Sequence, residues 1–280
     1  MRRQVDGFLD YLTKEKQYSG NTLAAYRNDL NQFAAFGEAL KSAGVTGKLL
    51  LEYVYDMKKK DYSQATLARK IAAIKSFLRF LFQQGLVSDD LAKSLISPRV
   101  PKSSPEVISP AEFQLLLATL SNSPSPEAKR DKAMLCMLHA TGLRVSEIVG
   151  LDVDDVDTGA GQVRCRRRGV MVAMALGEAA EPVKDYLASS RIQFLRSEDE
   201  EALFVNRRGK RLTRQGFWQI IRSCGKQAGL DTRISPCALR HTFAVQQLDN
   251  GVSQRELQRL LGYAYVSSTA IYREHAGKNG

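Results

Sequence analysis

The sequence predicts a mainly α-helical protein with a small β-sheet, arranged as two domains. Apolar residues recur at helical spacing through most of the chain, and paired strand-like segments occur between residues 162 and 176. A proline- and serine-rich stretch, SPRVPKSSPEV, interrupts the pattern near residue 100. We therefore expect a helical bundle at residues 1–96, a linker at 97–108 and a larger α+β domain at 109–280.

The first domain is predicted to contain four helices. Ser19 or Asn21 can cap the second helix, and Ser63 can cap a long fourth helix, because their side-chain oxygens accept hydrogen bonds from free backbone amides. A third helix is expected from Leu49 to Met57. The apolar stripes of these helices are expected to form the core of the bundle.

The second domain is predicted to be helical around one hairpin. Its first helix begins at Ser109-Pro110-Ala111-Glu112, a sequence typical of a capped helix start. The hairpin is expected between Gln162 and Leu176, and Ala202–Asn206 is a further short apolar run. Further helices are expected at roughly 128–140, 178–190, 213–229, 237–250, 253–262 and 267–275.

The charge of the chain favours a polyanionic partner. Lysine and arginine total 41 against 30 acidic residues, and the net charge of +11 is spread over both predicted domains. Nucleic acid is the first candidate for that partner. The alternative is a solvated basic surface that serves only solubility.

Several function classes are not supported by any motif. The four cysteines form no CxxC pair, so neither a metal site nor a disulfide framework is predicted, and a reducing cytoplasm fits this usage. The N-terminus lacks the apolar segment of a signal peptide, and no run is long enough to cross a bilayer. Neither GxxxxGK[ST] nor GxGxxG occurs, which argues against an ATP- or dinucleotide-dependent enzyme.

Two segments place an arginine near a predicted helix start, ATGLRVSEI with Arg144 and SPCALRHTFA with Arg240. The helix dipole disfavours a cation at this end, unless an anion shares the guanidinium and the free backbone amides. The alternative is that each arginine pairs with a nearby carboxylate, and Glu147 is the candidate partner of Arg144.

The motifs TGLR-x-SE, LRH-[ST]-FA and LLG, the last followed at a fixed spacing by a tyrosine, occur in this order. This order resembles the tyrosine recombinase (phage integrase) family, in particular its Xer-type members. NTLAAYRNDLNQFAAF and SQATLARKIAAIKSFLRFL resemble the family's N-terminal, SAM-like core-binding domain. The resemblance implies a two-domain clamp on double-stranded DNA, in which residues 109–280 form the catalytic domain.

The resemblance also implies a reaction and its residues. Arg144 and Arg240 match the two arginines that hold the scissile phosphate. Tyr272 matches the nucleophile, which forms a 3′-phosphotyrosyl intermediate without metal, ATP or any other cofactor. Tyr263 and Tyr265 are rival nucleophiles, but only Tyr272 has the family spacing.

Three implied active-site positions depart from the family pattern. Arg167 stands where the family has a lysine that protonates the leaving 5′-oxygen, Cys237 stands at a usual histidine, and Tyr263 at a usual histidine or tryptophan. Arginine is a poor proton donor, whereas the Tyr263 hydroxyl can still donate a hydrogen bond to phosphate. If Arg167 holds the acid position, Arg167→Lys is expected to raise the cleavage rate.

DNA contacts are expected from basic residues of both domains, mostly to phosphate. These candidates are Lys58, Lys59, Lys60, Arg69, Lys70, Lys75, Arg79, Arg164, Arg166, Arg168, Arg207, Arg208, Lys210, Arg211 and Arg214. The implied partners besides DNA are further copies of the chain, from dimer to tetramer, or a second recombinase.

Four functions remain open from the sequence. The first is a site-specific recombinase or integrase acting through Tyr272. The second is a catalytically weakened or inactive DNA-binding paralogue that needs a partner recombinase, which Arg167 and Cys237 motivate. A helical DNA-binding regulator and a topoisomerase-like nickase are the other two.

Overall fold

The computed structural model confirms the predicted fold class, a mainly helical chain with a small sheet. The chain divides into two compact units, Met1–Ser103 and Ser104–Gly280. The structure describes residues 1–42, 44–100, 104–167, 169–197, 199–230 and 234–273.

The first unit contains the four predicted helices. They are α1 (Arg2–Lys14), α2 (Gly20–Ala39), α3 (Gly47–Lys59) and α4 (Gln64–Gln83). Of the two candidate caps for α2, the Ser19 side chain accepts the first-turn hydrogen bond, and Ser63 caps α4 as predicted. Phe8, Phe33 and Phe77 are fully buried where the apolar faces of the helices meet.

Lys70 corrects one prediction for this unit. It was expected on a DNA-binding face, but it is buried, and its Nζ donates to Asp29 Oδ1 at 3.1 Å and to Gln32 Oε1 at 2.6 Å. Asp29 is also buried and accepts a second ion pair from Arg69. A buried carboxylate needs such partners, so the prediction of a DNA contact at Lys70 is wrong.

The second unit surrounds a buried helix, α6, with further helices and the predicted hairpin. Its helices are α5 (Pro110–Ser121), α6 (Pro126–Thr141), α7 (Val145–Ile148), α8 (Ala180–Asp185), α9 (Arg191–Phe194), α10 (Arg214–Gln227), α11 (Pro236–Asp249), α12 (Gln254–Leu261) and α13 (Ala270–Arg273). A π-helical turn, Tyr186–Ser190, joins α8 to α9. The helix predicted at 178–190 therefore continues further than expected.

The sheet is antiparallel and has the order β1-β2-β3. Its strands are β1 (Val156–Asp157), β2 (Gln162–Arg167) and β3 (Val170–Ala175). Arg167 pairs with Val170 at the end of the hairpin, so the register of the β2–β3 pair fixes where the Arg167 side chain enters the domain.

Gly142 ends α6 in the left-handed conformation, with φ +56°. A Cβ atom at this position would overlap the ring of Phe243 on α11. Glycine therefore allows the chain to turn sharply from α6 into the Arg144 segment while α11 packs against the turn.

We expect Gly142→Ala to destabilise the second unit more than a glycine-to-alanine substitution at a left-handed position with open space around it. Gly161 is the matched control, because its φ is +65° and a Cβ there meets no atom within 4 Å. Gly161→Ala should cost about 1–2 kcal/mol of unfolding free energy, and Gly142→Ala a further ~1–3 kcal/mol. Urea unfolding followed by the fluorescence of Trp218, the single tryptophan, measures both. Equal losses would contradict the predicted overlap.

Helices that could cross a membrane were not found in the described part of the chain.

Candidate active site

Five of the six predicted catalytic residues converge at the C-terminal end of α12. Arg144 precedes α7, Arg167 ends β2, and Arg240 lies in the second turn of α11. Tyr263 follows α12, and Tyr272 lies on α13. The sixth residue, Cys237, is exposed in the first turn of α11.

Glu147 links two of these arginines. Its Oε1 accepts from Arg144 Nη1 at 2.9 Å and from Arg167 Nε at 3.0 Å, and its Oε2 accepts from Arg167 Nη2 at 3.0 Å. Oε2 also accepts from the Arg144 backbone amide at 2.7 Å. The predicted Arg144–Glu147 pairing is present, but Arg167 makes the bidentate contact with the carboxylate.

The environment of Glu147 keeps it ionised. Burial by itself would raise the pKa of this carboxyl group. The hydrogen bonds from Arg167 and from the Arg144 amide, together with both guanidinium charges, outweigh burial and lower the pKa below its ordinary value. Glu147 therefore acts as the counter-ion of this arginine pair at neutral pH.

The end of α12 supplies the second set of partners. Leu260 O accepts from Arg167, Leu261 O accepts from Arg240, and Gly262 O accepts from Arg144 Nη2 at 3.0 Å. The last carbonyls of a helix lack intrahelical partners and carry its negative partial charge, so they attract cations. This explains how the LLG segment gathers three arginines that are distant in sequence.

Gly262 is required by this close approach. Its φ is +62°, and a Cβ atom there would lie 3.2 Å from Arg167 Cδ and 3.3 Å from Arg144 Nη1. The glycine therefore both ends α12 and leaves room for two of the guanidinium side chains.

Arg240 is buried and spans two segments. It donates to Gly142 O as well as to Leu261 O, and its guanidinium carbon lies 5.4 Å from the centroid of the Tyr263 ring. Burial lowers the pKa of Arg240 from its very high ordinary value, an effect that Tyr263 opposes and Arg144 reinforces. The group stays charged at neutral pH.

Tyr272 is fully buried, and its Oη lies 3.0 Å from Tyr263 Oη. The ring of Tyr263 is in turn faced by Arg240 and, at 5.8 Å, by Arg144. Burial, then the hydrogen bond with Tyr263, raises the pKa of Tyr272 well above its ordinary value. The Tyr272 side chain is therefore a neutral hydroxyl beside the arginines, whereas Tyr265 is 72% exposed.

The charge balance of this cluster suits an anion. In the described residues, the hydrogen-bonded contacts of Arg144, Arg167 and Arg240 include one carboxylate, that of Glu147. Arginine donors and two tyrosine hydroxyls are the groups that bind phosphate oxygens. Metal-binding groups of three or more His, Cys, Asp or Glu side chains were not found among the described residues.

Glu147 was missing from the predicted catalytic set. Its position three residues after Arg144 predicts a local ion pair with that arginine, and this spacing is the sequence feature that could have identified Glu147. The contact with Arg167 depends on the fold, because that residue reaches Glu147 from the hairpin.

The residues predicted to contact DNA differ in their exposure and in whether a carboxylate already pairs with them. The exposed ones without a carboxylate partner among the described residues are Lys58, Lys59, Arg79, Arg164, Arg166, Arg208, Lys210 and Arg214. Ion pairs occupy Lys60, Arg69 and Arg207, with Asp56, Asp29 and Glu127. Lys75 is half-buried, and Arg168 lies outside the described residues.

Arg211, another residue predicted to contact DNA, is engaged in hydrogen bonds and an ion pair within the second unit. Its Nη1 donates to Val149 O at 3.1 Å and to Leu151 O at 2.9 Å, and its Nη2 pairs with Asp152. These contacts hold the segment that follows α7.

Two family models match the chain. The model described as the phage integrase family matches residues 106–279, and that described as the phage integrase N-terminal SAM-like domain matches residues 5–85.

Known proteins resemble the chain over nearly its whole length. Tyrosine recombinase XerC of Roseiflexus castenholzii is 43% identical over 97% of this chain and 88% of the relative. The crystal structure of XerA recombinase has a TM-score of 0.54 at 28% identity, covering 97% of this chain and 92% of that one. A lambda integrase dimer bound to a COC′ core site has a TM-score of 0.72 at 15% identity, covering 99% and 96%. The chain belongs to the phage integrase family of tyrosine recombinases, and to its Xer-type site-specific recombinases.

Proposed function

We propose that this chain cuts and rejoins double-stranded DNA at a specific site through a covalent intermediate on Tyr272. The observation that carries the proposal is the position of the Tyr272 hydroxyl, 3.0 Å from Tyr263 Oη, whose ring is faced by Arg144 and Arg240. A nucleophile and a phosphate site are thereby joined in one cluster.

In the proposed cleavage step, DNA binding first exposes Tyr272, which is fully buried in this structure, and its Oη then attacks the scissile phosphorus. The Oη–P bond forms and the bond from phosphorus to the 5′-oxygen breaks, which leaves a 3′-phosphotyrosyl link and a free 5′-hydroxyl. The hydroxyl proton of Tyr272 passes to solvent, and the leaving oxygen gains one proton. Attack by a second 5′-hydroxyl reverses the step and rejoins the strand, so no nucleotide hydrolysis is needed.

Arg144 and Arg240 would bind the non-bridging oxygens of the phosphate. Negative charge on these oxygens grows in the pentacoordinate transition state, so fixed guanidinium groups favour that state over the ground state. Tyr263 would donate to a phosphate oxygen, and Cys237 would stand where the family places a histidine. The Cys237 thiol is a weak hydrogen-bond donor and gives less help than an imidazole.

DNA would be held by the exposed basic residues of both units, with the first unit as the core-binding domain and the second as the catalytic domain. Phosphate contacts of this kind give affinity that falls as salt is raised. The solved lambda integrase relative is a dimer on DNA, which supports self-association of this chain on its target, up to the tetramer that strand exchange requires.

A second candidate function is a DNA-binding paralogue that depends on a partner recombinase. The observation that favours it is the replacement of a lysine by Arg167, which is a poor proton donor. Both functions predict DNA binding, and they differ in covalent chemistry.

Tyr272→Phe is expected to abolish all covalent protein–DNA complex. The measurement uses a library of duplexes nicked next to candidate sites, so that the 5′ fragment diffuses away and slow cleavage accumulates as an adduct on a denaturing gel. Tyr265→Phe is the matched control, because Tyr265 is exposed and should leave the adduct yield unchanged.

The outcome separates the two candidate functions. An adduct lost only in Tyr272→Phe supports the recombinase. Salt-sensitive DNA binding without any adduct from the wild-type chain favours the dependent paralogue.

A further inference from the structure

Arg167 occupies the position where the family places a lysine, but its environment is that of an internal ion pair. We infer that Arg167 is a positioning residue, which holds Glu147 and through it Arg144, and is not the proton donor to the leaving 5′-oxygen. The inference rests on the proposed function and assigns a different task to this position.

The directions of the Arg167 donors carry the inference. Nε and Nη2 form a fork with both oxygens of Glu147, and Nη1 donates to Leu260 O. All three guanidinium nitrogens are thus engaged with the protein, and the side chain is only 4% exposed. A group that protonates a leaving oxygen must point a donor at the substrate.

Arg144 differs from Arg167 in that its side chain is partly exposed. Its side chain is 39% exposed and shares Glu147 Oε1 with Arg167, so Arg144 faces the open side of the site while Arg167 lies behind the carboxylate. The orientation of Arg144 therefore depends on where Arg167 fixes Glu147. Arg167 also joins the end of β2 to the end of α12.

Lysine could not reproduce this arrangement. The Glu147 contact uses two nitrogens in a fixed plane, and a third donor is needed for Leu260 O. An ammonium group has one nitrogen at the end of a flexible stem, so it cannot make the planar fork. Arg167→Lys is therefore expected to slow cleavage, the reverse of what the acid position alone predicts.

The chemical consequence concerns the leaving group. Without a proton from Arg167, the 5′-oxygen takes its proton from water as the P–O bond breaks. A bridging 5′-sulfur leaves as a thiolate and needs no proton. If Arg167 only positions Glu147 and Arg144, replacing Arg167 slows cleavage of the oxygen substrate and of the sulfur substrate by the same factor.

The test measures adduct formation by wild type, Arg167→Ala and Arg167→Lys on two identical duplexes, one with the normal scissile phosphate and one with a bridging 5′-phosphorothiolate. We expect each variant to slow both substrates about 10- to 100-fold, as for a lost group that orients a catalytic ligand. The ratio of sulfur to oxygen rates should stay at the wild-type value. Trp218 fluorescence verifies that each variant is folded, and if the alanine variant unfolds, the lysine variant decides.

Three results would overturn the inference while leaving the proposed function standing. Full wild-type rate for Arg167→Ala on the sulfur substrate, with a 10²–10⁴-fold loss on oxygen, would show that Arg167 is the acid. Faster oxygen cleavage by Arg167→Lys would do the same, and unchanged rates on both substrates would remove any role. If the wild type forms no adduct on either substrate while still binding DNA, the proposed function itself fails, and the role of Arg167 in cleavage fails with it.

Discussion

Arg240→Ala is expected to reduce covalent adduct formation by a factor on the order of 10³ or more. Fixed donors that stabilise transition-state charge are worth about 10²–10³-fold each, and an arginine on a transferring phosphoryl group is worth up to ~10⁵. Arg240 also donates to Gly142 O and Leu261 O, so its loss removes the link between two segments of the site. The loss should appear in the rate at saturating DNA.

The controls separate chemistry from binding and folding. Arg240→Lys keeps the charge but cannot reach both carbonyls and a phosphate at once, so it should recover only a small part of the rate. Arg214→Ala removes an exposed cation and should weaken binding and its salt dependence while leaving the saturated rate near wild type. Near-normal adduct yield from a folded Arg240→Ala protein would contradict the proposed phosphate site.

Local patterns predicted most of the fold because each helix has a readable apolar face and start. The cap at Ser63 and the capping box at Ser109 follow from side-chain chemistry within a few residues. The π-helical turn Tyr186–Ser190 and the two-residue strand β1 have no such local pattern. They depend on packing between distant segments, which periodicity does not contain.

The candidate site was predictable as a set of residues and not as an arrangement. Motif order pointed to the arginines and tyrosines, and the structure brings five of them together. That the carbonyls of Leu260 and Leu261 hold two of the arginines could not be read from spacing, since each partner comes from another element. The prediction of a DNA contact at Lys70 is wrong for the same reason, because its partner Asp29 lies on a different helix.

Glu147→Gln is expected to destabilise the second unit by about 3–5 kcal/mol, because it leaves the Arg167 guanidinium buried without a counter-charge. The loss should also depend on pH. The pKa of Glu147 is lowered from an ordinary value of 4.5, so its stabilising effect is fully present above pH 4.5 and disappears as pH falls through the lowered pKa. Wild type and Glu147→Gln should therefore differ most at neutral pH and converge in acid.

Asp185→Asn provides the matched surface control. Its partner Lys129 is 2.9 Å away, but the two side chains are 38% and 54% exposed, so the change should cost under about 1 kcal/mol. The double variant Glu147→Gln, Arg167→Met should recover much of the stability lost in Glu147→Gln, since the buried Arg167 charge that lost its counter-ion is then removed as well. It should still cleave DNA slowly, because Arg144 loses its carboxylate support. A double variant with wild-type cleavage would show that the ion pair serves stability alone.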